Sequence, residues 1–146
     1  MCQRFPLFLD LTGLAALVVG GGTVASRRAA VLQSFGARVT VIAPALSAAM
    51  EGVVHIPRPY QPGDLEGAFL AIAATDDRAV NHAVFLEAKE RGILVNVCDC
   101  PEECGFFFPA ICRTDTLVAG VVGDGSDHRR TARAAAAIRK TLEELP

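Results

Sequence analysis

Nowhere in the 146 residues does an apolar run reach the roughly 18 needed for a membrane-spanning helix, so no membrane partner is expected. A secretory leader is also missing, because Asp10 interrupts the apolar start Phe5-Pro6-Leu7-Phe8-Leu9 too early. An excess of positive charge is lacking too. Fourteen Lys and Arg face sixteen Asp and Glu, for a net charge of −2, which argues against an electrostatic nucleic-acid binder. There is no internal repeat and no low-complexity tract. Five cysteines, an odd number, fit reduced thiols in the cytoplasm better than a disulfide framework. What remains is a chain that is 51% hydrophobic and long enough for one real core with a small appendage.

That core has a rhythm. Residues 15–19 read as a buried strand. Residues 23–34 carry apolar side chains at helical spacing and stop at Gly36. Residues 38–43 form a β-branched strand halted by Pro44, and residues 53–56 a short one. A loop with Pro57, Pro59 and Pro62 follows. The apolar run 69–74 reads as a buried parallel strand, then a helix capped by Thr75 or Asp76 runs to Arg91, and residues 93–98 form the next strand. Strand and helix in alternation predict an α/β fold, a Rossmann-type doubly wound parallel sheet. Beyond Asp99 the texture changes. Residues 100–109 hold two prolines and three consecutive phenylalanines. One strand, 116–122, and one helix, 128–145, then follow, too little for an independent core. The expected division is a Rossmann domain over 1–113 and a strand-plus-helix segment over 114–146.

The strand-to-helix junction Val19-Gly20-Gly21-Gly22-Thr23-Val24-Ala25 is suited to a pyrophosphate. Gly20 allows the tight turn, Gly22 lets backbone N–H groups approach phosphate, and Ala25 supplies the small residue for helix–strand packing. The acidic residue that usually grips the adenosine ribose is absent: the second strand ends Ile42-Ala43-Pro44-Ala45, with no arginine for a 2′-phosphate either. Thr75-Asp76-Asp77 and Asn96-Val97-Cys98-Asp99 end two further strands at the same edge. In open sheets that edge faces the ligand crevice, although helix and loop capping explains the same residues. Asp99 there is a candidate proton acceptor. Cys98, Cys100 and Cys104 fall within seven residues and could bind a soft metal; plain packing is the competing reading, since Cys98 ends a strand and is expected to point toward the sheet. His55, His82 and His128 form no ligand pattern. Arg129, Arg130, Arg133, Arg139 and Lys140 read as a solvated helix face or as an attractor of polycarboxylates.

The order of these segments resembles a known family. Phe5-Pro6-Leu7-Phe8-Leu9-Asp10-Leu11, the glycine loop and Gly36-Ala37-Arg38-Val39-Thr40-Val41-Ile42-Ala43-Pro44 open it. Asp64 to Asp77 with Asn81, Asn96-Val97-Cys98-Asp99 and Phe107-Phe108-Pro109-Ala110-Ile111 complete it. Over about residues 5–122 the chain resembles the N-terminal module of siroheme synthases, the precorrin-2 dehydrogenase/sirohydrochlorin ferrochelatase family. The resemblance implies NAD as cofactor and oxidation of precorrin-2, a reduced tetrapyrrole polycarboxylate, to sirohydrochlorin. It implies that Fe²⁺, or Co²⁺, is inserted by some members. It assigns NAD contacts to Gly20, Gly22, Thr23 and Val24, to Pro44 and Ala45, and to Thr75. Asp99 becomes the catalytic group, with no metal site of the protein's own. It also implies a homodimer clasped through the segment after the Rossmann domain.

The chain departs from the family at two points. The turn Val122-Gly123-Asp124-Gly125-Ser126 replaces a serine- or threonine-bearing one, and the usual C-terminal helical region does not follow Pro146. The alternative function is therefore a non-catalytic NAD-sensing or tetrapyrrole-carrying module that needs a partner protein.

Overall fold

The computed structural model describes residues 3–145. Five parallel strands form one sheet: β1 (Ala15–Val19), β2 (Arg38–Ile42), β3 (Val54–Ile56), β4 (Leu70–Ala73) and β5 (Leu94–Val97), in the order β3-β2-β1-β4-β5. Helix α1 (Thr23–Ser34) links β1 to β2, and α2 (Arg78–Arg91) links β4 to β5. The chain thus winds outward in both directions from β1 and β4. Right-handed crossovers running in opposite directions place the two helices on opposite faces. Register confirms the layering. Leu17, Val19, Ala71, Ala73, Val95 and Val97 share one face and pack with Val84 and Ala88 of α2. The alternate residues Val18, Val41 and Ile72 lie on the other face, and Ala25, Ala29 and Leu32 are the buried positions of α1. Strands buried on both sides explain the unbroken apolar runs in the sequence.

Two compact units result. One is Leu9–Phe106; the other joins the residues up to Phe8 with those from Phe107 on. The expected division after residue 113 would cut this second unit, because that unit contains a strand the sequence reading missed. β6 (Ala110–Arg113) pairs antiparallel with β7 (Val118–Val121), and α3 (His128–Glu144) packs on both. One strand was expected here, and two form. β6 escapes a pattern search because it has only four residues, follows directly on Pro109, and buries fully only Cys112, whose Sγ meets the Ala135 carbonyl at 3.1 Å. The N-terminal residues join this unit through Arg4, which donates to the Gly123 carbonyl and lies 3.6 Å over the Phe107 ring.

The cap of α2 is a second correction. Asp77, rather than Thr75 or Asp76, caps it, accepting from Ala79 N at 2.8 Å and Val80 N at 3.3 Å. No helix among the described residues is long and apolar enough to cross a membrane.

Candidate functional site

At the C-terminal edge of β1, β2 and β4 lies a cleft of about 510 Å³. Gly20, Gly22, Pro44, Ala45 and Thr75 all line it, so the structure brings together five of the seven residues expected at a cofactor. The other two, Thr23 and Val24, are exposed in the first turn of α1, directly after Gly22. The three glycines are not equivalent. Gly20 has φ +127°, and a Cβ there would stand 2.2 Å from the Ala74 carbonyl oxygen. A Cβ on Gly21 would stand 2.0 Å from the Ala45 carbonyl oxygen, and the Gly21 carbonyl itself accepts from Ser47 N at 2.8 Å. Gly22 has φ −86° and nothing within 4 Å of its Cβ position. The first two glycines are therefore required by the protein's own backbone. The third opens onto empty space.

That space faces a helix end with spare donors. Gly22 caps α1 without a side chain, no acidic residue stands in the first turn, and the first intrahelical bond is Ser26 N to Gly22 O. The N–H groups before Ser26 have no acceptor within the helix and carry the positive end of its dipole. The N-terminus of α2, at the same sheet edge, is closed by Asp77. Of the two helix ends, only that of α1 thus leaves its donors open toward the cleft. The residues present fit a dinucleotide pyrophosphate.

Thr75 is held from below. Asn81 is fully buried. Its Oδ1 accepts from Thr75 N at 3.1 Å and lies 2.7 Å from Thr75 Oγ1, while its Nδ2 donates to the Thr75 carbonyl at 3.0 Å. One side chain saturates the β4–α2 turn and fixes the rim of the cleft.

Asp99 stands apart from the cleft lining, beyond the end of edge strand β5. Arg78 Nη1 donates to its Oδ1 at 2.6 Å, and the other arm of Arg78 bonds Glu103. Glu103 also meets His82 Nδ1 at 2.7 Å. Burial alone would raise the Glu103 pKa, but its bonds with His82 and Arg78 outweigh that and hold it below its ordinary value. The arrangement ties the Asp99 carboxylate to an arginine that Glu103 holds in turn.

Comparison with known proteins decides the family. Residues 7–110 match the family described as "Putative NAD(P)-binding". Over 130 residues the chain is 42% identical to a siroheme synthase of Methylobacillus flagellatus, covering 85% of this chain and 28% of that protein. Over 149 residues it is 42% identical to a siroheme synthase of Chromobacterium violaceum, covering 98% and 31%. Its fold matches the solved structure of SirC, a precorrin-2 dehydrogenase, with a TM-score of 0.79 and 30% identity over 94% of this chain and 71% of that one. The chain belongs to the family of siroheme synthase N-terminal modules. It spans about 28% of the length of the first curated relatives it matches.

The three clustered cysteines of the module do not converge. Among the described residues no group of three or more His, Cys, Asp or Glu could hold a metal ion. Cys104 turns inward, its Sγ 3.2 Å from Val97 N. Cys100 Sγ lies 3.4 Å from Glu102. Cys98, just past the end of β5, is exposed as a residue, but its Sγ turns to Asn96 Oδ1 of that strand at 3.7 Å. Burial of its thiol still pushes its pKa up, partly offset by the nearby Arg28.

Several residues of the module's cleft were missed in the sequence. Gly21 sits between the two glycines of the motif, and its need for glycine comes from a contact with Ala45. Pro59 and Tyr60 also line the cleft but lie in a proline-punctuated loop with no periodicity. Arg78, which pairs with Asp99, and Glu103, which holds Arg78, carry no signal in the sequence.

Proposed function

We propose that this module oxidises precorrin-2 to sirohydrochlorin with NAD⁺ in siroheme synthesis. What carries the reading is one sheet edge that offers both an uncapped, acid-free helix N-terminus over a glycine cradle and an anchored carboxylate. The likeness to a precorrin-2 dehydrogenase over most of both chains supports the substrate.

In this reading the N–H groups of the α1 first turn, at Thr23 and Val24, hold the pyrophosphate above Gly20 and Gly22. Pro44 and Ala45 wall the adenosine side, and Thr75, fixed by Asn81, orients the nicotinamide side. Bound NAD⁺ supplies the hydride acceptor. Asp99 accepts the proton that leaves with the hydride, and Arg78 keeps that carboxylate in one orientation. No Lys, Arg or His is among the described residues lining the cleft, which favours NAD over its 2′-phosphorylated form. Where Fe²⁺ or Co²⁺ is the second substrate, two pyrrole N–H protons leave as the metal enters, and Asp99 accepts one at a time and passes it to solvent.

The module pairs with a second copy through the unit containing β6 and β7. A two-stranded sheet is marginal alone, and Leu117 and Val118 are exposed on it. A cytoplasmic location belongs to the same reading.

The deciding assay incubates the protein anaerobically with precorrin-2 and NAD⁺, follows NADH and sirohydrochlorin by absorbance, and then adds Fe²⁺ or Co²⁺. Asp99→Ala is expected to abolish turnover and leave NAD⁺ binding intact. Turnover at the wild-type rate in that variant refutes the role of Asp99. Wild-type protein that binds NAD⁺ without ever oxidising precorrin-2 establishes the non-catalytic module instead.

A further inference from the structure

The loop between β3 and β4 looks in the sequence like a mere connection, yet it is pinned at several points. Arg58 grips Asp64 through both arms, at 2.8 and 2.7 Å, and Asp64 also accepts from Gln61 N at 2.7 Å. The Tyr60 hydroxyl donates to Glu87, a buried carboxylate on α2 that also accepts from Gly63 N at 3.0 Å, Leu65 N at 3.3 Å and Arg91 Nε at 2.8 Å. With its hydroxyl anchored on α2, the half-buried side chain packs against the core and lines the cleft, as does Pro59.

The cleft has an unmet need on that side. In this fold a carboxylate at the end of the second strand usually grips the adenosine ribose. Here the chain after β2 reads Ala43-Pro44-Ala45-Leu46-Ser47, with no acid. A fixed aromatic face can supply by stacking what that missing hydrogen bond does not, since every purine has a π-face. We propose that Tyr60 is the wall against which the adenine of the dinucleotide rests, and that Glu87 is the positioning residue that holds the ring in place. This rests on the reading of the cleft as a dinucleotide site.

The chain provides its own probe. Tyr60 is its only tyrosine and there is no tryptophan, so intrinsic emission reports on this ring alone. The full chain is titrated with AMP, nicotinamide mononucleotide and NAD⁺, with free tyrosine amide as the absorbance control. AMP and NAD⁺ are expected to change the emission saturably, and nicotinamide mononucleotide to leave it unchanged. By calorimetry, Tyr60→Phe, which keeps the π-face and loses the anchor on Glu87, is expected to weaken AMP a few-fold, as Glu87→Gln does, whereas Tyr60→Leu, which retains apolar bulk without a π-face, loses about tenfold. Glu87→Gln is expected to weaken AMP and leave nicotinamide mononucleotide unaffected, a selectivity that general loosening of the fold would not produce. Tyr60→Leu that is folded by circular dichroism and binds AMP like wild type overturns the assignment while the dinucleotide reading stands. Wild-type protein that binds neither AMP nor NAD⁺ overturns both.

Discussion

Alanine placed in turn at Gly20, Gly21 and Gly22 is expected to separate stability from cofactor binding. At Gly20 the new Cβ would lie 2.2 Å from one backbone oxygen, at a φ of +127° that L residues rarely adopt. Backbone strain of about 1–2 kcal/mol and overpacking of about 1–3 kcal/mol together give roughly 2–5 kcal/mol. At Gly21 the clash is with Ala45 and φ is not positive, so overpacking acts alone, at about 1–3 kcal/mol. At Gly22 neither penalty applies. Only the weaker capping preference of alanine remains, about 0.5–1 kcal/mol. For a chain of this size each kcal/mol moves Tm by about 3 °C. Thermal unfolding followed by circular dichroism should therefore show losses of about 6–15 °C for Gly20→Ala and no more than about 3 °C for Gly22→Ala.

NAD⁺ affinity is expected to give a different order. The Gly22 Cβ would project into the open space before the α1 N-terminus, where it displaces an anion from one or two N–H donors. Losing charge-assisted bonds worth about 1.5–3 kcal/mol weakens binding by about 10- to 100-fold. Gly22→Ala should thus be nearly as stable as wild type and a poor NAD⁺ binder by calorimetry. If it binds NAD⁺ as tightly as wild type, the phosphates do not sit at this helix end and the site assignment fails.

Three further outcomes follow from other parts of the structure. Asn81→Ala leaves the Thr75 N–H and carbonyl without their buried partner; it should cost about 1–3 kcal/mol in chemical denaturation and also weaken NAD⁺, whereas loss of stability alone would show that the turn does not shape the site. Arg78→Ala should lower kcat by about 10- to 100-fold through misplacement of Asp99 while the NAD⁺ Kd stays fixed, and an unchanged kcat removes Arg78 from the mechanism. Asp64 and Glu87 titrate below their ordinary values of 3.8 and 4.5, Asp64 through its bonds to Arg58, and Glu87 because its donors outweigh burial. Between the folded and unfolded pKa values the unfolded chain binds more protons, so their contribution is complete above the ordinary values and lost as pH falls through the folded ones. Tm should be level from about pH 5 to neutrality and fall below it, and the fall should be shallower in Glu87→Gln.

The sheet was legible because its central strands, β1 and β4, are buried on both faces and the helices between strands repeat at their own period. β1 and α1 were read with the bounds they have. What escaped depends on contacts distant in sequence. Gly21 must be glycine because Ala45 lies against it, a fact that residues 20–25 alone do not carry. Glu87 occupies a helix position that composition assigns to solvent; it is buried because Tyr60, Gly63 and Leu65 deliver donors to it from a loop. Asp77 displaced Thr75 as the cap because the Thr75 hydroxyl and backbone are already engaged with Asn81. β6 was hidden by its shortness.

Both walls of the cleft depend on α2, and on its polar residues. Near the start of the helix, Asn81 fixes the Thr75 rim; near its end, Glu87 fixes the loop bearing Tyr60. An apolar pair at these two positions would pack against the sheet, but it would leave the Thr75, Gly63 and Leu65 N–H groups without acceptors and the Thr75 carbonyl without a donor. It would also free both walls to move. These side chains therefore set position as well as stability. α1 offers the charge that attracts an anion, while α2, with its own N-terminus closed by Asp77, sets the width of the cleft that receives the rest of the ligand.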